Sequence, residues 1–381
     1  MTRFGRRQHM RPRMLALAVL PALCAGVALA ADLDPARLET WKLPEASLYG
    51  VHASGQNAWA AGYWGTILRS SDGGRTWSQA GTPSARTLFD ISFADDGQSG
   101  WAVGADGVIL RSKDGGATWA MQTAQITDEM GGTRPLDTNL FSVVATSPTS
   151  AWAVGDLGIA LRTRDGETWE RVVFDATTYA DENVPERLLN SVAFTSPTDG
   201  WIAGEFATLL RTSDGGETWV GQRTIQGAPE DLYLFDLSAA AGGPAAAVGL
   251  AGSVLVSSEA GAVWDLRAID TTAGLFGVAW NDGHGVAVGD RGVLYVSNDA
   301  GRTWREPKRP KLFNWLSDVA FAGPSEAIVV GERGIVLRSE DGGESWTAAI
   351  TPSTTVEAPL TGLGGKPEST PADVSPAPGV P

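Results

Sequence analysis

The chain has 381 residues, with 29 basic against 44 acidic side chains, a net charge of −15, 47 glycines, 15 tryptophans and a single cysteine. Glycine and tryptophan at these frequencies describe a turn-rich fold with aromatic anchors. The acidic balance repels phosphate and so excludes nucleic acid as a partner, and the lone Cys24 excludes a disulfide scaffold and a cysteine-ligated metal site.

Residues 1–30 read as a secretory signal peptide. Arg3, Arg6, Arg7, Arg11 and Arg13 precede an apolar run from Met14 to Leu29, and Ala28-Leu29-Ala30 forms a cleavage site before Ala31. The run is too short and wrongly flanked for a retained span. Leu23 stands where lipidation of Cys24 needs a small residue, and Gln8-His9-Met10 do not continue a twin-arginine motif from Arg6-Arg7. Cleavage near Ala30 leaves 24 basic and 44 acidic residues. A periplasmic or secreted protein that does not span a membrane is expected.

Residues 31–350 are built from repeats. Trp77, Trp119, Trp169, Trp219, Trp264, Trp304 and Trp346 close successive units at spacings of 42, 50, 50, 45, 40 and 42 residues, which are lengths of propeller blades. The second unit predicts an inner strand around Phe89 to Phe93, a second strand before a tight Asp106-Gly107 turn, a third strand after it, and a fourth opening at Trp119. The turn glycine recurs as Gly65, Gly107, Gly158, Gly252, Gly292 and Gly334, with only Ala207 departing. Four-stranded sheets bury both faces by stacking around an axis, so the expected fold is all-β, a seven-bladed β-propeller of four-stranded antiparallel blades. Glu39 to Pro44 resembles the entry to a fourth strand, and one chain end is expected to lie beside the other and close the ring. The longer connections, Gln122 to Asn139, Arg171 to Arg187 and Gly221 to Asp231, all run from an outer to an inner strand and belong on one face, where function concentrates. Residues 351–381 are rich in proline, glycine, serine and threonine and are expected to be a disordered tail.

Each unit ends in a form of S-x-D-x-G-x-T-W, as in SSDGGRTW at 70 to 77 and SKDGGATW at 112 to 119; the forms at 163 to 169 and 257 to 264 are degraded. This is the Asp-box, or BNR repeat. Its aspartate accepts hydrogen bonds from turn amides, its glycine permits a left-handed turn, and its tryptophan packs between blades. Asp72, Asp114, Asp214, Asp299 and Asp341 are therefore structural rather than metal-binding or acidic catalysts.

The fuller repeat, WAVGADGVILRSKDGGATW, with WAAGYWGTILRSSDGGRTW at 59 to 77 and WIAGEFATLLRTSDGGETW at 201 to 219, resembles that of the photosystem II stability and assembly factor family over roughly residues 39 to 350. The resemblance implies a lumenal or periplasmic seven-bladed propeller that acts as a non-enzymatic chaperone on assembling membrane-protein intermediates.

Third strands place Arg69, Arg111, Arg162, Arg211 and Arg338 at one equivalent position, interrupted by Val256 and Tyr295. Equivalent positions form a ring, and forked guanidiniums there suit carboxylates or acidic peptide segments. An arginine patch is also what the resemblance implies for client binding, so these five are the expected partner-binding residues. The competing reading is blade-by-blade pairing with Asp156, Glu205, Asp290 and Glu332, or with the inner-strand Asp90, Asp236 and Asp318.

The alternative function is a sialidase-type glycoside hydrolase, which needs a tyrosine nucleophile with a partnering glutamate, an acidic aspartate and three arginines. Tyr49 takes the place of an inner-strand phenylalanine, Tyr295 stands in the arginine column, Tyr179 and Tyr233 sit in insertions, and no Arg-Ile-Pro motif occurs. His52 and His284 are far apart, and no phosphate-cradling loop is present. The expected protein has no catalytic residue, cofactor or metal. It is a monomer that binds protein clients, membrane-protein complexes or acidic segments.

Overall fold

Short apolar runs between glycine-bearing turns form antiparallel strands, and four successive runs make a blade. The computed structural model describes residues 46–350 except 128–131, 175–186, 223–224, 227–228, 230–231, 241–244, 258–262, 268 and 282. The signal segment, Glu39 to Pro44, the tail, most of the Arg171 to Arg187 connection, and much of the degraded box at 257 to 264 lie outside the described residues. Blade 1 comprises Leu48–Ser54, Asn57–Gly62, Ile67–Ser70 and Ser78–Ala80. Blades 2 to 4 open with Leu88–Phe93, Leu140–Ser147 and Leu189–Phe194, and blades 5 to 7 with Leu234–Ala239, Leu275–Asn281 and Leu316–Phe321. These first strands touch one another around a complete ring of seven and are therefore innermost. The expected seven-bladed propeller of four-stranded sheets is what the chain forms.

Two blades vary the scheme. Blade 5 gains a parallel strand, Ile225–Gln226, against its outer Trp264–Arg267. In blade 6 a single bridge between Val296 and Arg305 replaces a regular fourth strand. A hairpin of Gln125–Thr127 and Thr133–Pro135 lies between blades 2 and 3, and its neighbours Ala124 and Leu136 join their shared core.

The interblade core is set by second-strand tryptophans. Trp59, Trp101, Trp152 and Trp201 are buried, and each such indole stabilises the fold by about 4–6 kcal/mol through the apolar area it withdraws from water. Trp59 stacks on Phe93 of the next blade with centroids 3.9 Å apart.

Second and third strands meet in type I′ turns. In blade 1 both central residues are left-handed, Trp64 at φ 54° and Gly65 at φ 68°. Glycine is demanded at the second position by a close carbonyl as well, since a Cβ on Gly65 would lie 1.9 Å from Ser84 O. Blade 4 keeps the conformation without glycine, with Phe206 and Ala207 at φ 52° and 53°.

Ring closure involves no exchanged strand among the described residues, because blade 7 takes its fourth strand, Thr347–Ile350, from its own end of the chain. Blade 7 docks on blade 1 through Val51 N–H to Asp318 Oδ2 at 2.7 Å, Gly55 N–H to Ala322 O at 2.6 Å, and Ser317 Oγ–H to Leu48 O at 2.8 Å.

Candidate functional site at the ring axis

Each described Asp-box is a closed hydrogen-bond unit. In blade 2, Asp114 Oδ1 accepts from Thr118 N–H at 2.9 Å and Oδ2 from Thr118 Oγ1 at 2.6 Å, while Ser112 Oγ accepts Gly116 N–H at 2.8 Å. These bonds, led by the Thr118 hydroxyl, hold the Asp114 carboxyl below its ordinary range. The box turn is tied to the hairpin turn between strands one and two, as in Gly115 N–H to Gln98 O at 2.9 Å. The boxes therefore occupy one face of the disc, and the type I′ turns with the outer-to-inner crossovers occupy the other.

The arginine column clamps blades together. Arg111 is 6% exposed; it donates to Gly166 O in the blade 3 box and to Pro148 O at 3.0 Å, and covers Trp101 at 4.6 Å. Arg338, 8% exposed, donates to Gly73 O in the blade 1 box at 2.6 Å and to Glu340. Arg162 lies over Trp152 and bonds Glu170 and, across the boundary, Glu217 of the blade 4 box, both at 2.9 Å. Arg211 covers Trp201 and reaches Asp199 at 3.9 Å, and Arg69, half-buried, sits beside the blade 2 box at Gly115. Arg111, Arg162 and Arg338 thus reach carbonyls or acids on the box side of the next blade, while Arg211 meets an acid of its own blade. Asp156, Glu205, Asp290 and Glu332 are not among them, because they stand at the opposite end of the third strand, on the crossover face. There Asp156 accepts from Asn139 at 2.9 Å, Glu205 from Leu188 N–H at 2.8 Å and Glu332 from Asn314 at 3.3 Å, and Asp290 pairs with Arg291 at 3.3 Å.

On the crossover face a cavity of about 490 Å³ opens along the axis. Most of its wall comes from one position, the second residue of each first strand, with Trp315 added from just before the first strand of blade 7. The repeat places Tyr49, Phe89 and Phe141 there in blades 1 to 3, then Asn190, then Phe235 and Phe276 in blades 5 and 6, and Ser317 in blade 7. Tyr49 meets Phe89 edge-on at 5.8 Å and stacks on Trp315 of blade 7 at 5.5 Å; Phe235 meets Phe276 edge-on at 5.4 Å. Asn190 interrupts the collar and donates to Leu234 O at 2.7 Å.

The next residue of the first strand forms the floor. Asp90, Asp236 and Asp318 stand in blades 2, 5 and 7, Ser142 and Ser191 in blades 3 and 4, and Gly50 and Gly277 in blades 1 and 6. Each acid is an interblade acceptor: Asp90 Oδ2 takes Val143 N–H at 2.8 Å, Asp236 Oδ2 takes Val278 N–H at 2.8 Å, and Asp318 takes Val51 as above. Glycine takes this position in the blade before two of them because a Cβ on Gly50 would come within 2.7 Å of the Asp90 backbone, and one on Gly277 within 2.7 Å of that of Asp318. Withdrawal from water pushes Asp90 up to about 7 and Asp236 to about 6, and Asp318 rises well above its ordinary value through burial and the charges of Asp236 and Asp90. No lysine, arginine or histidine lines this cavity among the described residues.

The residues a sialidase needs are not gathered here. Tyr49 is the one tyrosine lining the cavity, with no glutamate and no arginine among the described lining residues. Tyr295 donates to Asp270 O at 3.0 Å, His284 bonds Asn298, His52 is half-buried near Trp59, and Tyr179 lies outside the described residues. Among the described residues no group of histidine, cysteine and acidic side chains is arranged to hold a metal, and no helix is long and apolar enough to cross a membrane. Sequence reasoning noted the inner-strand phenylalanines and acids but not their convergence. The signal was a leucine followed by an aromatic residue in five units, from Leu48-Tyr49 to Leu275-Phe276.

A family model described as photosynthesis system II assembly factor YCF48 matches residues 77–182, 177–272 and 256–355. Among curated proteins none matches this chain in sequence. Similar solved structures include YCF48 from Cyanidioschyzon merolae, at 21% identity and TM-score 0.59, covering 78% of this chain and 96% of that one. A structure titled YCF48 bound to D1 peptide shares 20% identity at TM-score 0.60, covering 78% and 95%. A GH74 xyloglucanase from Xanthomonas campestris reaches TM-score 0.62 at 15% identity, with 81% of this chain on 55% of that one. At these identities the structural likenesses speak for the fold.

Proposed function

The chain belongs to the photosynthesis system II assembly factor YCF48 family, and on that premise we propose that it is a non-enzymatic assembly factor, exported after cleavage near Ala30, that holds a segment of a membrane-protein subunit during assembly. The observation that carries this reading is the aromatic-walled axial cavity on the crossover face. A concave apolar site with a few convergent polar groups is where a partner's side chains find burial and orientation. The relative whose structure is titled as bound to D1 peptide supports a polypeptide as the occupant. We place partner contact at this cavity rather than on Arg69, Arg111, Arg162, Arg211 and Arg338. Arg111, Arg162 and Arg338 are already committed to neighbouring blades, and guanidiniums so engaged contribute to fold rather than to docking.

The test is a photo-crosslinking amino acid placed at Phe276 and, as a control on the opposite face, at Lys113, in the full chain in its own envelope. A defined membrane-protein adduct from Phe276 and not from Lys113 supports the proposal; equal adducts from both, or none, overturns it. Hydrolysis of xyloglucan or sialoside oligosaccharides that is lost in Asp236→Asn would instead establish a glycosidase.

A further inference from the structure

The axial cavity combines two features that select the same kind of ligand. Its wall is a collar of π systems, with Trp315, Tyr49 and Phe89 in continuous contact on one side and Phe235 with Phe276 on the other. Its floor holds three carboxyl groups with no basic partner among the described residues. Aromatic rings attract a cation through their quadrupoles, most strongly where water is excluded. Carboxylates whose charges repel one another are relieved by a cation brought among them. Four further carboxyl groups, Asp156, Glu205, Asp290 and Glu332, stand in the turns of the same face. The neighbouring base, Arg291, is paired with Asp290 at the rim and 67% exposed, so it does not neutralise the floor. The expected mature chain, with 24 basic against 44 acidic residues, adds long-range attraction of the same sign.

We propose that the cavity binds an organic cation, the ammonium or guanidinium end of a lysine or arginine carried on the partner polypeptide, between the aromatic collar and the Asp90, Asp236 and Asp318 floor. This deepens the docking reading above and selects a basic segment, opposite in sign to the acidic segment an open arginine patch would take. Collar and floor divide the work. The rings hold the alkyl stem and part of the charge, and the free lone pairs of the carboxylates accept from the charged head. Because Asp90 and Asp236 hold protons up to about pH 7 and 6, the bound cation displaces protons from the floor and its affinity rises with pH.

The experiment uses free n-butylammonium and n-butylguanidinium as probes of the full mature chain, with n-butanol and butyrate as neutral and anionic counterparts. Binding is read by saturation-transfer NMR and calorimetry. Both cations are expected to bind with millimolar Kd at pH 8, roughly tenfold more tightly than butanol or butyrate, and about tenfold more weakly at pH 5. Asp236→Asn should weaken the cations at pH 8 with butanol unchanged. Phe276→Leu, which keeps apolar volume and leaves the floor bonds intact, should weaken the cations several-fold and spare butanol. Butanol binding as well as the amine, preference for butyrate, displacement of the amine by micromolar calcium, or no amine binding at about 50 mM would each overturn the inference. A Phe276 crosslink without cation preference sinks this inference and leaves docking standing. Cation binding without any crosslinked partner sinks the docking reading instead.

Discussion

Replacing Asp90 by asparagine should change the stability of the propeller in a way that reverses with pH. In the fold Asp90 Oδ2 accepts Val143 N–H at 2.8 Å and Oδ1 accepts Ile91 N–H at 2.7 Å. Asparagine offers one acceptor oxygen where the carboxyl, protonated or not, keeps lone pairs on two, so one amide loses its partner, at a cost of about 1–3 kcal/mol. Against this stands the charge. The folded carboxyl holds its proton up to about pH 7, compared with an ordinary 3.8. A raised carboxyl pKa means that the folded state binds more protons than the unfolded one between those values, so stability is lost as pH rises through that interval. Between pH 5 and pH 8 the loss through Asp90 comes to about 2–3 kcal/mol. The asparagine does not titrate, and without the Asp90 charge Asp318 is also relieved. Asp90→Asn should therefore be less stable than the parent at pH 5, with the gap shrinking by about 2–3 kcal/mol and closing or reversing by pH 8. Urea unfolding at pH 5, 6, 7 and 8, followed by tryptophan fluorescence, measures the gap. Reading the difference between the two proteins cancels His52, which burial lowers from 6.5 to about 4 and which draws stability the opposite way as pH falls. It also cancels box aspartates such as Asp214, which titrate below this window. A gap that is constant across the four pH values would refute the argument that the floor carboxyls are charged at a cost.

Ala207→Gly should stabilise the chain by about 1 kcal/mol, raising Tm by about 2 °C by differential scanning calorimetry, because it relieves a left-handed alanine. A Cβ on Gly216, at φ 82°, would lie 2.1 Å from the buried Trp152 ring, so Gly216→Ala should lower urea stability by about 3 kcal/mol or more. Arg338→Ala should destabilise by about 1–3 kcal/mol, since the buried guanidinium leaves Gly73 O unpartnered. Arg75→Ala, whose ion pair with Glu340 is over half exposed, should change urea stability by less than about 1 kcal/mol.

The fold was legible because the features that build it are local. A turn that needs positive φ selects glycine at Gly65 and Gly107, a box aspartate satisfies amides within four residues of itself, and both recur at blade spacing. The site was less legible because it is made between units that are distant in sequence. Phe89 and Phe276 read separately as core residues of a strand, and only the closing of the ring brings them to one wall. The arginines illustrate the converse. Their column is plain in the repeat, but whether a guanidinium faces solvent or a neighbouring carbonyl depends on how blade packs on blade, and Arg111 meets Gly166 across 55 residues of sequence. Pairing was one of two expectations for the arginines, and the acids named for it bond elsewhere: Asp156, Glu205, Asp290 and Glu332 stand at the other end of the third strand, and Asp90, Asp236 and Asp318 accept backbone amides of the next blade.

Six of the seven blade boundaries are spanned by continuous chain. The boundary between blades 7 and 1, as far as the described residues go, is held by a shared apolar core in which Leu48 and Ala60 meet Ile328 and Val330, and by isolated bonds: Asp318 to Val51, Gly55 to Ala322, Arg338 to Gly73, Ser317 to Leu48, and Arg75 with Glu340. The stacked Tyr49 and Trp315 lie on its two sides, so this seam cuts the collar itself. A cavity whose wall has a seam differs from a sealed cup. Parting there breaks no strand pairing among the described residues and would widen the mouth of the cavity sideways. Amide exchange fastest in Val51 and Gly55 among the first-strand residues and their turns would mark that seam as where the ring yields first.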